Sequence, residues 1–469
     1  MMGQIVRDDF VAKPLDSSAQ NNASLFAAGR ILDEEDKSVL RKSIMSCFRC
    51  CLVLLLMGCC FLGRGSVLSA QTSKATGKPK GNPKARNHTS ILPAGVQEYS
   101  SKNFLVRTDL SKNDAEDLLK RLENMLVLVS RYFGKPNSQM IEMNVVQDLK
   151  LWPPESIHEQ AMDSLRNDAG ITLSVTAMQQ NELGQKQITG AKSIVWSVST
   201  GGIAQHEAVH AYCHQNFGRT GPTWYAEGMA EMGQYWRDKD KSVRIPDAVL
   251  AYLKESKPKT LVEITAPGQR TGDSWQNYAW RWALCHLLST NPNYEQRFKP
   301  LGMALLNDQR TSFEEVYGSM AKEISFEYQF FLEHMGQGFR SDLCGWDWKT
   351  KFQRLRGSGT AQAKIDASRG WQASRVLLKS GDKISYTTSG EWVVQREGPK
   401  GGPDGDEKGH GKLVGILFAD YELSEPFDLG SGGEYEASRS GQLFLRCQDD
   451  WCETADNTGA VTVKFKAAN

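Results

Sequence analysis

The hydrophobic pattern falls into two textures. In the first, apolar runs alternate with helix-length periodic segments. NFLVRTD reads as a strand, and Asn113 and Asp114 are expected to cap the helix AEDLLKRLENMLVLVSRYF. There Leu118, Leu119, Leu122, Met125, Leu126 and Val129 share one helical face. GITLSVTAM and KSIVWSVS read as strands. SWQNYAWRWALCHLLST, after Asp273, reads as a helix, and Ser312 to Glu315 form a capping box opening another. After about Gly357 the texture changes to short β-rich runs, RVLLKSGDKISYTTSGEWVVQ, KLVGILFADYEL, SGQLFLRC and GAVTVKFKA, punctuated by GD, SG, GG and NTG. The expectation is a mixed α/β domain over 93–356 followed by an all-β sandwich over 357–469.

One apolar run fits neither texture. CLVLLLMGCCFL, residues 51–62, is too short for a standard membrane-spanning helix, which needs ~20 apolar residues. Arg49 before it and GRGSVLSAQ after it give the layout of a secretory signal peptide, 45–70, cut near Ala70. An uncut membrane anchor and a lipoprotein acylated at Cys59 are the alternatives. Residues 1–44 fit no signal peptide and read as a doubtful extension, since Met45 is itself a plausible start. The polar, basic, Gly/Pro-rich stretch 71–92 reads as a linker. The expected location is secreted, periplasmic or on the cell surface, with membrane contact only through that segment.

Composition adds little. Net charge is +1, so nothing argues for nucleic acid as a partner. Five of the ten cysteines crowd the segment around residues 47–60. The other five, Cys213, Cys285, Cys344, Cys447 and Cys452, lack metal-type spacing and allow at most two disulfides.

Candidate chemistry begins at residue 206. His206-Glu207-Ala208-Val209-His210 follows a strand and the turn Ser199–Gly202, so it should be helical. His206 and His210 then lie one turn apart and can share a metal ion, with Glu207 beside them to take a proton from water. A surface helix carrying the motif by chance is the plain alternative. Position 216 is Asn, which denies a third histidine six residues after His210. Instead Pro222 opens a helix carrying Glu227 and Glu231, again one turn apart. Two histidines and a glutamate supply the three protein ligands of a catalytic zinc site.

The pattern HExxH followed by WxxEGxAE, carried by His206, Glu207, His210, Trp224, Glu227, Gly228 and Ala230, resembles the gluzincin, peptidase-MA-like metallopeptidases. The resemblance implies an α+β zincin-like fold, Zn2+ held by His206, His210 and Glu227, and Glu207 as general base. Glu231 would orient a zinc histidine. Tyr278 or His286 would donate to the oxyanion, with Tyr278 in the matching place. By the same analogy KSIVWSVS would be the sheet edge that pairs with substrate. His214 reads as a packing or supporting residue.

The last loop, CQDDWCETADNTGAVTVKF, resembles that of the soluble calcium-dependent galactose-binding bacterial lectins through Gln448-Asp449 and Asp456-Asn457-Thr458-Gly459. Asp449, Asp456 and Asn457, with the Glu453 carbonyl, are hard oxygen donors that suit Ca2+. An acidic loop stapled by Cys447 and Cys452 is the alternative. The segment REGPKGGPDGDEKGHGK departs from the lectins, so galactose specificity does not carry over.

Together these readings predict an exported zinc metallopeptidase acting on protein or peptide, with a β domain for carbohydrate or surfaces. A non-catalytic glycan-binding protein with a vestigial metal site and a zinc amidase acting on cell wall are the alternatives.

Overall fold

This computed structural model describes residues 92–468, apart from 138, 181–185, 238–239 and 270–271. The expected extension, signal segment and all but the last residue of the linker lie outside the described residues. Among the described residues no helix is long and apolar enough to cross a membrane.

The first half is built on one sheet of β1 (Gln97–Ser100), β2 (Phe104–Thr108), β3 (Ile141–Val146), β4 (Gly170–Gln180) and β5 (Lys186–Val198), in the order β1-β2-β3-β5-β4. β2, β3 and β5 run parallel, while the outer strands β1 and β4 run antiparallel to their neighbours. β5 is therefore interior, and the expectation that KSIVWSVS forms the edge is corrected. The edge beside the HExxH helix is β4, because β5 spends one side on β3 and the other on β4.

Helices cover this sheet and extend beyond it: α1 (Lys112–Phe133), α2 (Glu159–Arg166), α3 (Ile203–Phe217), α4 (Thr223–Tyr235), α5 (Asp247–Glu255), α6 (Leu261–Thr265), α7 (Trp275–Thr290), α8 (Glu295–Leu306), α9 (Phe313–Tyr317) and α10 (Ala321–His334). The six apolar residues expected on one face of α1 are all buried. Its cap is Ser111 rather than Asn113 or Asp114: Ser111 Oγ accepts from Asp114 N–H at 3.3 Å, which starts the helix earlier.

From Thr360 onward the chain is β-rich. One sheet has the order β10 (Glu422–Leu423), β9 (Leu413–Ala419), β13 (Gly441–Cys447), β7 (Gln372–Leu378), with β11 (Phe427–Asp428) also on β9. The other has β12 (Gly432–Glu436), β8 (Lys383–Val393), β14 (Thr458–Ala467), β6 (Thr360–Asp366). Ile365, Tyr386 and Val463 of one sheet and Val376, Leu417 and Leu445 of the other belong to one core. The run LVGILFA does not alternate because both its faces are covered. Leu413 and Leu417 join that core, while Val414, Ile416 and Phe418 pack with Phe326 and Phe330 of α10 and with Trp346. The two halves are thus joined through an aromatic layer. Beside it, the buried Glu327 carboxylate accepts from Asn291 Nδ2 (2.5 Å), Tyr294 Oη (2.6 Å), Trp348 Nε1 (2.7 Å), Asn293 Nδ2 (2.9 Å) and the Trp346 N–H (3.0 Å).

All five described cysteines are free thiols. The Cys447–Cys452 staple of the alternative reading is absent: Cys447 is buried in the sandwich core, while Cys452 faces Gly336 and Gly338 of the other half.

Candidate metal centre

The centre is built from two consecutive buried helices. α3 starts after Gly202 and stops before Gly218, both in the left-handed conformation, and His206 and His210 lie one turn apart on it. α4 follows Pro222, and every residue from Trp224 to Tyr235 is buried. Such burial draws Glu227 and Glu231 inside, where a carboxylate persists only if paired. Two glycines let the helices close. A Cβ on Gly233 would lie 2.5 Å from Val209 Cγ2, and one on Gly228 would strike Cys285 Sγ and lie 2.8 Å from the Arg281 carbonyl of α7.

Three ligand atoms converge. His206 Nε2 and His210 Nε2 are 3.2 Å apart, and each is 3.3 Å from Glu227 Oε2. A tetrahedral zinc ion with bonds near 2.0–2.1 Å needs ligand atoms ~3.3 Å apart. The three edges match that spacing, and the N,N,O donor set suits zinc. Among the described residues this is the one group of three His, Cys, Asp or Glu side chains that converges in this way.

Burial alone would lower the His206 imidazole, but the Glu227 and Glu231 carboxylates beside it outweigh burial and push its pKa up to about 10. Burial alone would raise the Glu227 carboxyl. His210 and His206 outweigh it and hold Glu227 well below the usual carboxylate range. On the far side of the ring, His206 Nδ1 is 3.1 Å from Glu231 Oε1, close but not aligned as a straight hydrogen bond.

Glu207 points into the same cleft, which has a volume of about 420 Å³. Its Oε2 is 2.7 Å from the Thr172 hydroxyl of the edge strand β4. Gly170 on that strand leaves the room Glu207 needs, since a Cβ there would be 2.6 Å from Glu207 Cγ. Tyr278 lies across the cleft with its ring stacked on His206 at 5.7 Å. Its hydroxyl accepts the Gly272 N–H at 2.7 Å. Burial, with Glu227 nearby, pushes the phenol further up, so it keeps its proton and can serve as a donor. His214 also lines the cleft, whereas His286 lies in a different cavity and is removed as an oxyanion donor.

Thr172, Gly170 and the Arg281–Asp273 pair escaped the sequence reading. Arg281 is buried, contacts Asp273 at 2.6 Å and sits 5.5 Å over the Tyr278 ring, fixing the loop that carries Gly272.

In the C-terminal loop the four residues expected to hold calcium divide. Asp449 Oδ2 and Asn457 Oδ1 are buried acceptors without a hydrogen-bond donor, a state that fits an oxygen-seeking cation. Asp456 is instead turned onto the Arg396 N–H at 3.2 Å. Asp449, Glu453 and Asp456 do not bring their carboxylates together as a group.

No family model and no curated protein matches the chain. Among solved structures, the chain is similar to the EclA N-terminal domain, a PllA-like lectin, at 21% identity over 23% of this chain and 96% of that one, with a TM-score of 0.20. It is also similar to IMPa from Pseudomonas aeruginosa in complex with an O-glycopeptide, at 13% identity over 52% of this chain and 29% of that one, TM-score 0.17. The IMPa metallopeptidase in complex with T-antigen gives 11% identity over 52% and 29%, TM-score 0.15. The chain thus spans less than a third of the length of the IMPa chains it matches.

Proposed function

We propose that this chain is an exported zinc-dependent metallopeptidase of zincin-like fold, with a C-terminal β module that binds carbohydrate or a surface polymer. The observation that carries the reading is the triangle of His206, His210 and Glu227 ligand atoms, 3.2–3.3 Å on a side, with Glu207 beside it in an open cleft. Export rests on the apolar segment 51–62 with its flanks.

His206, His210 and Glu227 would hold the zinc. When bound, zinc supplies Lewis acidity toward the scissile carbonyl and makes water more acidic. Glu207 takes the proton from water and delivers it to the leaving amine, while Thr172 holds its carboxylate in place. Glu231 fixes the tautomer and orientation of His206 from behind. The Tyr278 phenol donates to the substrate oxyanion. The exposed side of β4 offers backbone groups to an extended peptide. In the β module, Asp449 and Asn457 would hold Ca2+.

The test is a metal assay on the mature protein, then incubation with denatured proteins and, separately, purified cell wall. Glu207→Gln is expected to keep zinc and to lose ~10²–10⁴-fold or more in hydrolysis. An unchanged rate rejects the peptidase mechanism, and cleavage of cell wall alone points to an amidase.

A further inference from the structure

Behind the metal centre lies a second cavity of about 440 Å³ that shares no lining residue with the cleft. Two helices, α4 and α7, nevertheless line both. α4 sends Glu227 to the cleft and Tyr235 to the cavity, and α7 sends Tyr278 to the cleft and Trp282 and His286 to the cavity. The volume is in the range of small-molecule sites.

Three features give this cavity a chemistry. His286 is 5% exposed, and its Nε2 has no hydrogen-bond partner. Leaving such a group unpaired costs stability that a hydrogen-bonding ligand would recover. Burial holds the imidazole neutral, with its pKa lowered to about 4, so it presents a polar atom rather than a competing charge. Among the described residues that line it, the cations Arg131, Arg237, Lys241 and Arg244 outnumber the carboxylates Asp240 and Glu295. Arg244 pairs with Asp240 at 3.0 Å and Lys241 with Asp342 at 3.7 Å. Arg237 reaches only the backbone carbonyls of Gln234 and Trp236, and Arg131 has no carboxylate partner among the described residues. Finally, the wall is aromatic: Tyr132 meets Trp236 at 5.8 Å, and Trp282 meets Tyr235 at 5.9 Å and His286 at 5.1 Å.

We propose that this cavity binds a small organic anion, a carboxylate or phosphate monoester on a flat apolar body. Arg131 and Arg237 hold its oxygens, His286 Nε2 donates a hydrogen bond, and the aromatic wall receives the body. Guanidinium groups without a carboxylate partner among the described residues select the negative charge, and the aromatic faces exclude a fully hydrated inorganic ion.

Calorimetric titration of the full, metal-loaded chain tests this with phenyl phosphate, phenylacetate and the cation benzylamine. Saturable binding of phenyl phosphate or phenylacetate but not benzylamine is expected, and whichever binds tighter identifies the head group. Arg131→Gln, an exposed change remote from the cleft, should weaken that binding at least tenfold while metal content stays unchanged. His286→Gln should do the same, with its melting temperature as the check on folding. Loss with Arg131→Gln also separates this site from an anion ligating the metal. Binding of neither anion, equal binding of benzylamine, or wild-type affinity in Arg131→Gln overturns the proposal.

Discussion

Glu227 and Glu231 are four residues apart on one helix and equally buried, yet they face different atoms of His206. Glu227 Oε2 is 3.3 Å from Nε2, on the side shared with His210, and Glu231 Oε1 is 3.1 Å from Nδ1, on the other side. Removing the first should empty the site, so Glu227→Ala is expected to lose most bound zinc in a metal assay of the purified protein. Glu231→Ala should keep the metal but weaken affinity or rate by roughly 10–100-fold, the usual cost of losing a group that orients a ligand. The opposite pattern would reverse the two assignments. At this scale much of the site was legible, because i,i+4 spacing on a helix fixes which side chains share a face. Thr172 and Gly170 were not legible. They reach Glu207 across a strand-to-helix contact, and no local period encodes that contact.

Elements were legible where one face decides burial, as in α1, and less so where every face is buried. α4 and α7 bury nearly all their residues, so their sequences carry no polar stripe to say which side meets which neighbour. Small residues carry that information instead. Gly228 sits where α4 crosses α7, and a methyl group there meets Cys285 Sγ and the Arg281 carbonyl, which is main chain and cannot swing aside. Gly228→Ala is therefore expected to force the helices apart at a cost of ~1–3 kcal/mol. Glu227 is its neighbour in sequence, so zinc affinity should fall together with melting temperature. A variant as stable and as zinc-loaded as the parent would mean that the crossing has room for a methyl group. The edge strand was misplaced for a related reason. GITLSVTAM and KSIVWSVS have similar texture, and strand order depends on pairing partners far along the chain.

At the scale of the molecule, the join between the halves was written in LVGILFA and QLFLRC, whose unbroken apolar runs exceed what one sandwich core needs. What covers the surplus could not be read locally, since the aromatic partners lie on α10 and the chain after it. The join includes His334, stacked on Trp451 at 4.8 Å, and the buried Arg446 lies 3.5 Å over the same indole. Burial, then Arg446 and Lys254, lower His334 to about 4, as burial lowers His286 to about 4. Both are neutral when folded and gain protons at higher pH when unfolded. Their contribution is thus full above about pH 6.5 and is lost as pH falls toward 4, worth about 3 kcal/mol for the fully buried His286 and less for His334. Melting temperature should drop across that window, and His334→Gln should flatten the drop. The candidate calcium loop belongs to the same join: the Asp449 carbonyl accepts from Arg446 Nη2 at 2.5 Å, and Trp451 and Cys452 pack against the first half. Calcium bound only by the folded chain adds RT ln(1 + [Ca2+]/Kd), ~2.7 kcal/mol at one hundred times Kd. The full chain, rather than a fragment that would expose the aromatic layer, should therefore melt higher with millimolar calcium than with a calcium-selective chelator at constant zinc. Asp449→Ala should remove that difference and leave zinc content unchanged. Superimposable curves for the parent chain would leave Asp449 and Asn457 as buried acceptors satisfied by water, in a loop whose work is to hold Trp451 against α10.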